Sequence, residues 1–284
     1  MTGPAVDAAL IDRLVRAALD EDLAGGVDVT SEATVPATQR AVGELVARAA
    51  GVVAGLSVAE SVFAVTTGGD LEVDRFVEDG TRVARGDVLA TVRARTRPLL
   101  LGERTALNLL CHLSGIATAT RKWADALAGT GAVVRDTRKT TPLLRALEKY
   151  AVRCGGGQNH RLALSDAALI KDNHVVAAGG VVAAYRAVTA AFPGPVEVEV
   201  DDLTGAIEAA EAGADLILLD NFSVPEVKQA VEAVAGRARL EVSGGLALDS
   251  AREYGETGVD YLAVGAITHS APALDIAFDL RTLS

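Results

Sequence analysis

The chain has 284 residues, half of them hydrophobic, with 38 Asp and Glu against 27 Lys and Arg and a formal net charge of -11. This composition predicts one or two globular domains with ample core and argues against disorder. The negative charge argues against a protein that coats nucleic acid or an anionic membrane. An anionic ligand would therefore need a local basic site.

The sequence also bears on location. No apolar run approaches the roughly 18 residues that span a bilayer, and the N-terminus lacks a basic segment followed by an apolar one. The two cysteines, Cys111 and Cys154, fit a reducing compartment, and neither has a second thiol nearby in sequence for a zinc site. We therefore expect a cytoplasmic protein without a membrane partner.

The first part of the chain predicts a helix followed by a β-rich unit. Residues 7–20 carry apolar positions at helical spacing, and the segment that starts at Asp28 is typical of a polar turn. From Ala41 to Val92, short valine-rich stretches broken by glycines indicate strands with a helical insertion. From Pro98 to Leu127 the leucine spacing predicts a long helix around Arg104.

One segment of that unit, Val77–Leu89, resembles the turn-rich hairpin of biotinyl and lipoyl carrier domains. Such domains need a lysine to hold the prosthetic group. The first lysine of this chain is Lys122, so a swinging-arm function is excluded.

After Gly131 the chain repeats a unit in which a short β-branched strand is followed by an alanine-rich helix, which predicts parallel strands with crossover helices. Six strands are fewer than the eight of a complete barrel. They predict an incomplete or smaller α/β barrel, with a doubly wound open sheet as the alternative. The strands are Ala132–Asp136, Ala168–Lys171, Val196–Val200, Leu216–Asp220, Leu240–Ser243 and Tyr261–Gly265.

Basic residues gather where these strands end, which is where ligands bind in parallel α/β folds. Arg138 and Lys139 follow the first strand, and Lys171 ends the second. His160 and Arg161 close a glycine-rich loop that allows a ligand to approach the backbone. We expect these residues to form an anion site. A solvated helical face is the better explanation for the basic residues at helical spacing, Arg145, Lys149 and Arg153.

Acids follow on the next strands. Glu197, Glu199 and Asp201 alternate with valines and project to one side, and Asp220 ends the next strand. Carboxylates gathered in an interior need cations or a metal to balance them. Oxygen ligands without cysteine or paired histidine suit Mg2+. For Glu197, a buried ion pair without metal is the better explanation.

Glycines end the last two strands, in Ser243-Gly-Gly and Gly265-Ala-Ile-Thr-His. Bare backbone N–H groups there can hold a phosphate, as at the phosphate site after the last strands of many barrels. An ordinary tight turn is the alternative. Two such neighbouring strand ends favour phosphate binding.

The chain contains the blocks Asp136-Thr-Arg-Lys-Thr, Glu148-Lys-Tyr-Ala-Val, Gly155-Gly-Gly-Gln-Asn-His-Arg and Leu169-Ile-Lys-Asp-Asn-His. Glu197-Val-Glu-Val-Asp, Leu219-Asp-Asn, Ser243-Gly-Gly and Val264-Gly-Ala-Ile-Thr-His follow in order. Together they resemble the quinolinate phosphoribosyltransferase family over nearly the whole chain. The resemblance implies a pentosyltransferase of NAD biosynthesis that joins quinolinate to phosphoribosyl pyrophosphate and releases pyrophosphate and CO2.

The resemblance also implies an architecture. It is an N-terminal open-faced α/β sandwich over residues 1–115, joined by residues 270–284, and an incomplete α/β barrel over residues 116–269, as in type II phosphoribosyltransferases. The protein would be a homodimer that uses Mg2+.

The resemblance further implies roles for individual residues. Glu199 and Asp220 would lie beside ribose and Mg2+, and either Lys139 or His160 would supply a proton after decarboxylation. Lys139, Lys171, Glu199 and Asp220 would be catalytic. The quinolinate carboxylates would be surrounded by Arg138, Lys139, His160, Arg161, Lys171 and, from the partner subunit, Arg104. The 5-phosphate cradle would be Ser243, Gly244, Gly245 and Gly265. Leu143 and Ala163 stand where the family usually has glycine.

Two other function classes stay open from the residues alone. One is a Schiff-base aldolase or lyase that uses Lys171. The other is a non-enzymatic binding module built on the N-terminal β unit, which would leave the interior acids unexplained. Within the transferase class, a relative that acts on another acidic ring also fits.

Overall fold

The computed structural model describes residues 6–283. In chain order, its helices are α1 (Ala8–Leu23), α2 (Val29–Thr34), α3 (Leu56–Thr67), α4 (Thr96–Ala126), α5 (Arg145–Cys154), α6 (Asp172–Ala178), α7 (Val181–Ala191), α8 (Leu203–Glu211), α9 (Val224–Val234), α10 (Ala251–Gly255) and α11 (Ala266–His269).

The strands, again in chain order, are β1 (Arg40–Ala47), β2 (Gly51–Val52), β3 (Leu71–Arg75), β4 (Arg82–Val83), β5 (Val88–Arg95), β6 (Val133–Arg135), β7 (Ala168–Ile170), β8 (Val196–Val200), β9 (Leu216–Asp220), β10 (Arg239–Ser243), β11 (Tyr261–Ala263) and β12 (Ile276–Thr282).

The chain divides into two compact units. The first contains the residues up to Ala119, the segment Ala146–Gly156 and the residues from Ala271 onward, and the second contains Thr120–Arg145 and Gly157–Ser270. The division expected from the sequence, at 115/116 and 269/270, differs from this one mainly in the segment Ala146–Gly156, which belongs to the first unit.

The first unit is built on an antiparallel sheet with the order β12-β1-β5-β3, accompanied by the short pair β2 and β4. Strand β1 lies inside the sheet, between β12 and β5, and six of its eight residues are buried. Helix α1 buries Ile11, Val15 and Leu19, which are spaced four residues apart on one face. Helix α3 is inserted between β2 and β3, so the predicted β-rich unit with a helical insertion is confirmed.

The turn predicted at Asp28 is wrong in one respect, because the following residues form α2. The Asp28 side chain accepts hydrogen bonds from the backbone N–H groups of Thr30 and Ser31, at 3.1 and 3.0 Å. An aspartate in this position satisfies donors that a helix leaves open at its start. Polar composition alone did not distinguish a capped helix from a turn.

The second unit contains the six predicted parallel strands, in the order β6-β11-β10-β9-β8-β7. From β7 to β11, each strand pairs with the next one in sequence, and the first strand, β6, pairs with the last. This order has no point at which the winding reverses, whereas a doubly wound sheet does. The predicted incomplete barrel is confirmed.

Within residues 6–283, no single helix combines enough length with enough apolar character to cross a bilayer. Helices α6 and α7, which bend by 92° at their junction, meet the length and composition test only when counted together.

Candidate active site

The segment that carries His160 and Arg161 lies beside β6, at the open edge of the barrel. Arg135 in β6 forms a parallel bridge with Gln158. Asp136 is fully buried, and its carboxylate accepts hydrogen bonds from the His160 backbone N–H, at 2.9 Å, and from the Asn159 side chain. Asp136 therefore fixes the segment where the strand ends.

Arg138 and Arg161 are close neighbours at this edge. Burial lowers the pKa of Arg161, and the positive charge of Arg138 lowers it further. The Arg161 guanidinium donates one hydrogen bond, to the Ala167 carbonyl at 3.0 Å. Within residues 6–283, the buried Nε atoms of both arginines lack a hydrogen-bond partner. Two cations with unused donors form a site that requires an anion.

Lys139 extends over the end of β11. A Cβ atom built on Gly265 would lie 3.0 Å from Lys139 Cδ, so a larger residue there would crowd the lysine. The Lys139 carbonyl accepts a hydrogen bond from the Thr268 hydroxyl at 2.7 Å. The side chain of Lys139 is exposed. The lysine is thus held by its backbone, while its amine is accessible to a ligand.

Lys171 and Glu199 join the ends of the neighbouring strands β7 and β8. Lys171 Nζ lies 3.0 Å from Glu199 Oε2 and 3.4 Å from Oε1. The glutamate side chain is 13% exposed and the lysine side chain is 50% exposed. One partner is therefore fixed by burial, and the other can reach a ligand.

A cavity of about 620 Å³ lies at the carboxyl ends of β8 and β9. Its described lining contains no lysine or arginine. It contains six acidic residues, Asp172, Glu199, Asp201, Asp202, Glu208 and Asp220. An acidic cavity of oxygen donors fits a hard divalent cation such as Mg2+, and it could bind an anionic substrate only with such a cation present. Glu199 and Asp220 are strand-borne members of this set.

The turn after β10 packs against the end of β9. Gly244 has a φ of +94°, and a Cβ atom on it would lie 2.2 Å from Asn221 Oδ1, so only glycine fits. Asn221 in turn donates a hydrogen bond from Nδ2 to Asp220 Oδ2 at 2.7 Å. The turn with Ser243 and Gly245 is therefore tied to Asp220.

His160 differs from the other predicted site residues because protein groups engage both of its ring nitrogens. Nδ1 accepts a hydrogen bond from the Arg161 backbone N–H at 2.8 Å, and Nε2 lies 2.6 Å from Glu197 Oε2. The residue is 9% exposed. Its direct contact with a substrate stays a prediction.

The prediction of a solvated helical face at Arg145, Lys149 and Arg153 is wrong for Lys149, which is only 1% exposed. Helix α5 buries Leu147, Glu148, Ala151 and Val152 as well as Lys149, so burial is not confined to one narrow stripe. The basic spacing concealed this burial. Arg104, on α4, is exposed. Arg104 belongs to the first unit, as do the buried residues of α5.

The two departures from the family pattern differ in their backbone. Leu143 has a φ of +69°, a backbone conformation that favours glycine. Its side chain is 82% exposed. Ala163 is not among the described non-glycine residues with positive φ. Its backbone N–H donates to Asp166 Oδ1 at 3.1 Å.

The sequence predicted no role for Asp136, although this residue ends the first predicted barrel strand and begins the block Asp136-Thr-Arg-Lys-Thr. Glu241 lies in the middle of β10, is fully buried and is paired with Arg135. Its alternation with buried valine and leucine could have indicated that it points inward.

Comparison with known proteins identifies the family of both parts of the chain. The family model for the quinolinate phosphoribosyl transferase C-terminal domain matches residues 116–279, and the model for the N-terminal domain matches residues 28–114. The nicotinate-nucleotide pyrophosphorylase (carboxylating) of Mycobacterium leprae is 55% identical over 271 residues, which cover 94% of this chain and 95% of that protein.

Solved structures are similar over almost their full length. NadC from Streptococcus pyogenes is 41% identical, with a TM-score of 0.94 over 99% of this chain and 100% of that chain. The nicotinate-nucleotide pyrophosphorylase of Francisella tularensis is 36% identical, with a TM-score of 0.92 over 98% of both chains. This chain belongs to the quinolinate phosphoribosyltransferase family.

Proposed function

We propose that this protein transfers the phosphoribosyl group of phosphoribosyl pyrophosphate to quinolinate, with loss of pyrophosphate and CO2, and so makes nicotinate mononucleotide for NAD biosynthesis. Family membership supports the reaction. The observation that carries the choice of substrate is the neighbouring pair Arg138 and Arg161, whose buried Nε donors lack partners among the described residues.

Quinolinate fits this pair because it carries two carboxylates on adjacent ring carbons. A guanidinium can donate two parallel hydrogen bonds to one carboxylate, so two arginines can hold two carboxylates in a fixed orientation. The ring nitrogen is thereby directed at the anomeric carbon of the ribose. An acid with a single carboxylate would leave one of the two guanidinium groups without an anion.

Lysines complete the cationic lining. Lys139, with an accessible amine above Gly265, contacts a quinolinate carboxylate, and Lys171 contacts the ring acid or the ribose from its position beside Glu199. We also assign Arg104 to this lining, supplied by the partner subunit of a homodimer. The exposure of Arg104 on α4 supports that assignment.

The second substrate belongs at the ends of β8 to β11. Its 5-phosphate would accept hydrogen bonds from the turn Ser243, Gly244 and Gly245 and from Gly265, where the lack of side chains leaves backbone donors open. Glu199 and Asp220 would hold Mg2+, which when bound offsets the charge of the pyrophosphate.

The carboxylates of Glu199 and Asp220 also act on the ribose. As the bond between the anomeric carbon and pyrophosphate breaks, positive charge develops on the sugar, and these acids stabilise it directly or through the sugar hydroxyls. The pyridine nitrogen forms the new bond to the anomeric carbon. Lys171 holds Glu199 in place during this step.

Decarboxylation follows from the new bond. A quaternary ring nitrogen stabilises the carbanion that remains on the adjacent carbon when CO2 leaves, and a proton then replaces the carboxylate. We assign the proton to Lys139, because its amine is exposed, whereas both ring nitrogens of His160 are already engaged.

We further propose that the protein works in the cytoplasm, without nucleic-acid or membrane partners. The net charge of -11 and the free thiols of Cys111 and Cys154 support this location.

The reaction is tested by its stoichiometry. Purified protein, phosphoribosyl pyrophosphate, Mg2+ and quinolinate should yield pyrophosphate, CO2 and nicotinate mononucleotide in equal amounts. Pyrophosphate release without CO2 would contradict the proposal.

The metal assignment is tested by titrating Mg2+ in the same assay. The Asp220→Asn variant should need a higher Mg2+ concentration for half-maximal rate. Asp215 precedes the same strand at its opposite end, so Asp215→Asn is the matched control and should keep the wild-type requirement. If both variants need the same Mg2+ concentration for half-maximal rate, Asp220 is not a ligand of the metal.

A further inference from the structure

A buried polar cluster in the second unit is not used by the mechanism above. It consists of His160, Glu197 and Glu241, which are 9%, 4% and 0% exposed. His160 Nε2 lies 2.6 Å from Glu197 Oε2 and 3.8 Å from Glu241 Oε1. Arg135 donates a hydrogen bond to Glu241. Of the two glutamates, Glu197 lies within hydrogen-bond distance of His160 Nε2, and Glu241 lies beyond it.

The contacts of His160 determine where its ring proton lies. The Arg161 backbone N–H donates to Nδ1 at 2.8 Å, so Nδ1 is an acceptor and carries no proton. The proton must then be on Nε2, where it is donated to Glu197 Oε2. The ring is a neutral imidazole held from both sides.

A divalent metal is the alternative occupant, because one ligand atom from each of the three residues lies within 4.8 Å of the others. A metal on Nε2 would move the proton of a neutral ring to Nδ1. That proton would face the Arg161 N–H, and two donors would oppose each other. The geometry therefore favours a proton over a metal.

We propose that Glu197 is a positioning residue for quinolinate: it fixes the proton of His160 on Nε2, and the imidazole then holds the Arg161 backbone so that Arg161 stays beside Arg138. This inference rests on the proposed function for its effect on catalysis, but the position of the proton is independent of it.

Two further contacts support this role. Asp136 accepts a hydrogen bond from the His160 backbone N–H at 2.9 Å, so the residue is anchored at its backbone as well as its ring. Arg161 follows directly in the chain, and its guanidinium spans to the Ala167 carbonyl at 3.0 Å. A rotated imidazole would therefore shift the Arg161 backbone. The Arg161 guanidinium, which we propose binds quinolinate, would move with it.

The test compares three variants of the buried acids. Glu197→Met matches the length of the side chain but removes the oxygen acceptor. Glu197→Gln keeps a carbonyl that can accept a hydrogen bond from His160 Nε2. Its amide can donate a hydrogen bond to Glu241 Oε1, which lacks a hydrogen-bond partner among the described residues. Glu241→Gln is the matched control, because burial and then the charge of Glu197 raise the pKa of Glu241 to about 7, and glutamine resembles the protonated acid.

The kinetic result separates positioning from a general loss of structure. In Glu197→Met, KM for quinolinate should rise about 10- to 100-fold, the effect of a lost hydrogen bond to a charged group, while KM for phosphoribosyl pyrophosphate is retained. Glu197→Gln and Glu241→Gln should stay near wild type for both substrates. An unchanged quinolinate KM in Glu197→Met, or an equal rise for both substrates, would overturn the proposal.

A spectroscopic readout on the wild-type protein does not depend on activity. The chain has four histidines, so the ring ¹⁵N signals of His160 can be assigned by comparison with a His160→Gln variant. The wild-type spectrum should show a protonated Nε2 and a bare Nδ1. A proton on Nδ1, or one equivalent of bound metal that Glu197→Gln loses, would overturn the proposal even if the enzyme proves to be active. If quinolinate is not turned over but the expected proton position is found, the proposed function alone fails.

Discussion

Lys171 Nζ lies 3.0 Å from Glu199 Oε2, so a cation and an anion that lie at the ends of adjacent strands share the candidate site. Because the lysine is half exposed, solvent screens the pair. Such pairs contribute about 0–1 kcal/mol to stability. The contact therefore matters more for binding than for the fold.

Replacement of Lys171 should separate these two effects. Lys171→Met is expected to lower kcat/KM at least about 100-fold, since it removes a cation that faces anionic substrates. The free energy of unfolding should change by less than about 1 kcal/mol. Steady-state kinetics and denaturant titration measure both.

The exposed pair of Arg252 and Glu256, 2.8 Å apart, provides the control. Arg252→Met should have a similarly small effect on stability and none on activity. A Lys171→Met variant with wild-type kcat/KM would contradict the assigned role.

Arg138 should not be replaceable by lysine. Arg138→Ala is expected to abolish turnover with the fold intact. Arg138→Lys keeps the charge but loses the planar pair of donors, so KM for quinolinate should rise about 10- to 100-fold. Initial rates at varied quinolinate and circular dichroism test this, and KM for phosphoribosyl pyrophosphate is the internal control. Full rescue by lysine would show that only charge is needed.

Glu241 makes stability depend on pH. Burial, and next the charge of Glu197, raise its pKa from 4.5 to about 7, against the opposing effect of Arg135. Between these values the folded state holds a proton that the unfolded state has lost. This contribution to stability is therefore complete below about pH 4.5 and is lost as pH rises toward about 7.

The Glu241→Gln variant cannot ionise at this position. Its free energy of unfolding, relative to wild type, should therefore rise between pH 4.5 and 7, by on the order of 3 kcal/mol for a shift of this size. Urea titrations of both proteins across this range provide the measurement. A difference that stays constant with pH, or falls, would show that Glu241 is ionised in the folded protein.

Leu143 offers a stability prediction away from the acids. Its φ of +69° is strained for a leucine, and asparagine tolerates this region better. Leu143→Asn should raise the free energy of unfolding by roughly 0.5–1 kcal/mol. Thermal or denaturant unfolding measures the change. Leu143→Val, with a branched Cβ, should be less stable than wild type, and the reverse order would contradict the strain.

Much of the barrel could be predicted because its strands carry a local signal. The six β-branched segments after Gly131 all became strands, since burial on both faces of a parallel sheet selects such residues. The incomplete barrel, by contrast, was not distinguishable from an open sheet by pattern alone. The pairing of β6 with β11 decides this, and that pairing is not visible in sequence.

The candidate site shows the same limit. Strand ends marked Lys171 and Glu199, because residue position alone places them at one edge. The hydrogen bonds of His160 to Glu197 and to the Arg161 backbone depend on which way a ring turns, and composition carries no information on that. Lys149 was misjudged for a related reason, because helical spacing does not tell which face is buried.

The neighbouring cations Arg138 and Arg161 are expected to select a ring acid with two carboxylates. The direct measurement is kcat/KM for quinolinate and for nicotinate, with phosphoribosyl pyrophosphate and Mg2+ present and CO2 followed. We expect turnover with quinolinate only, accompanied by CO2. Turnover of nicotinate without gas release would contradict the account.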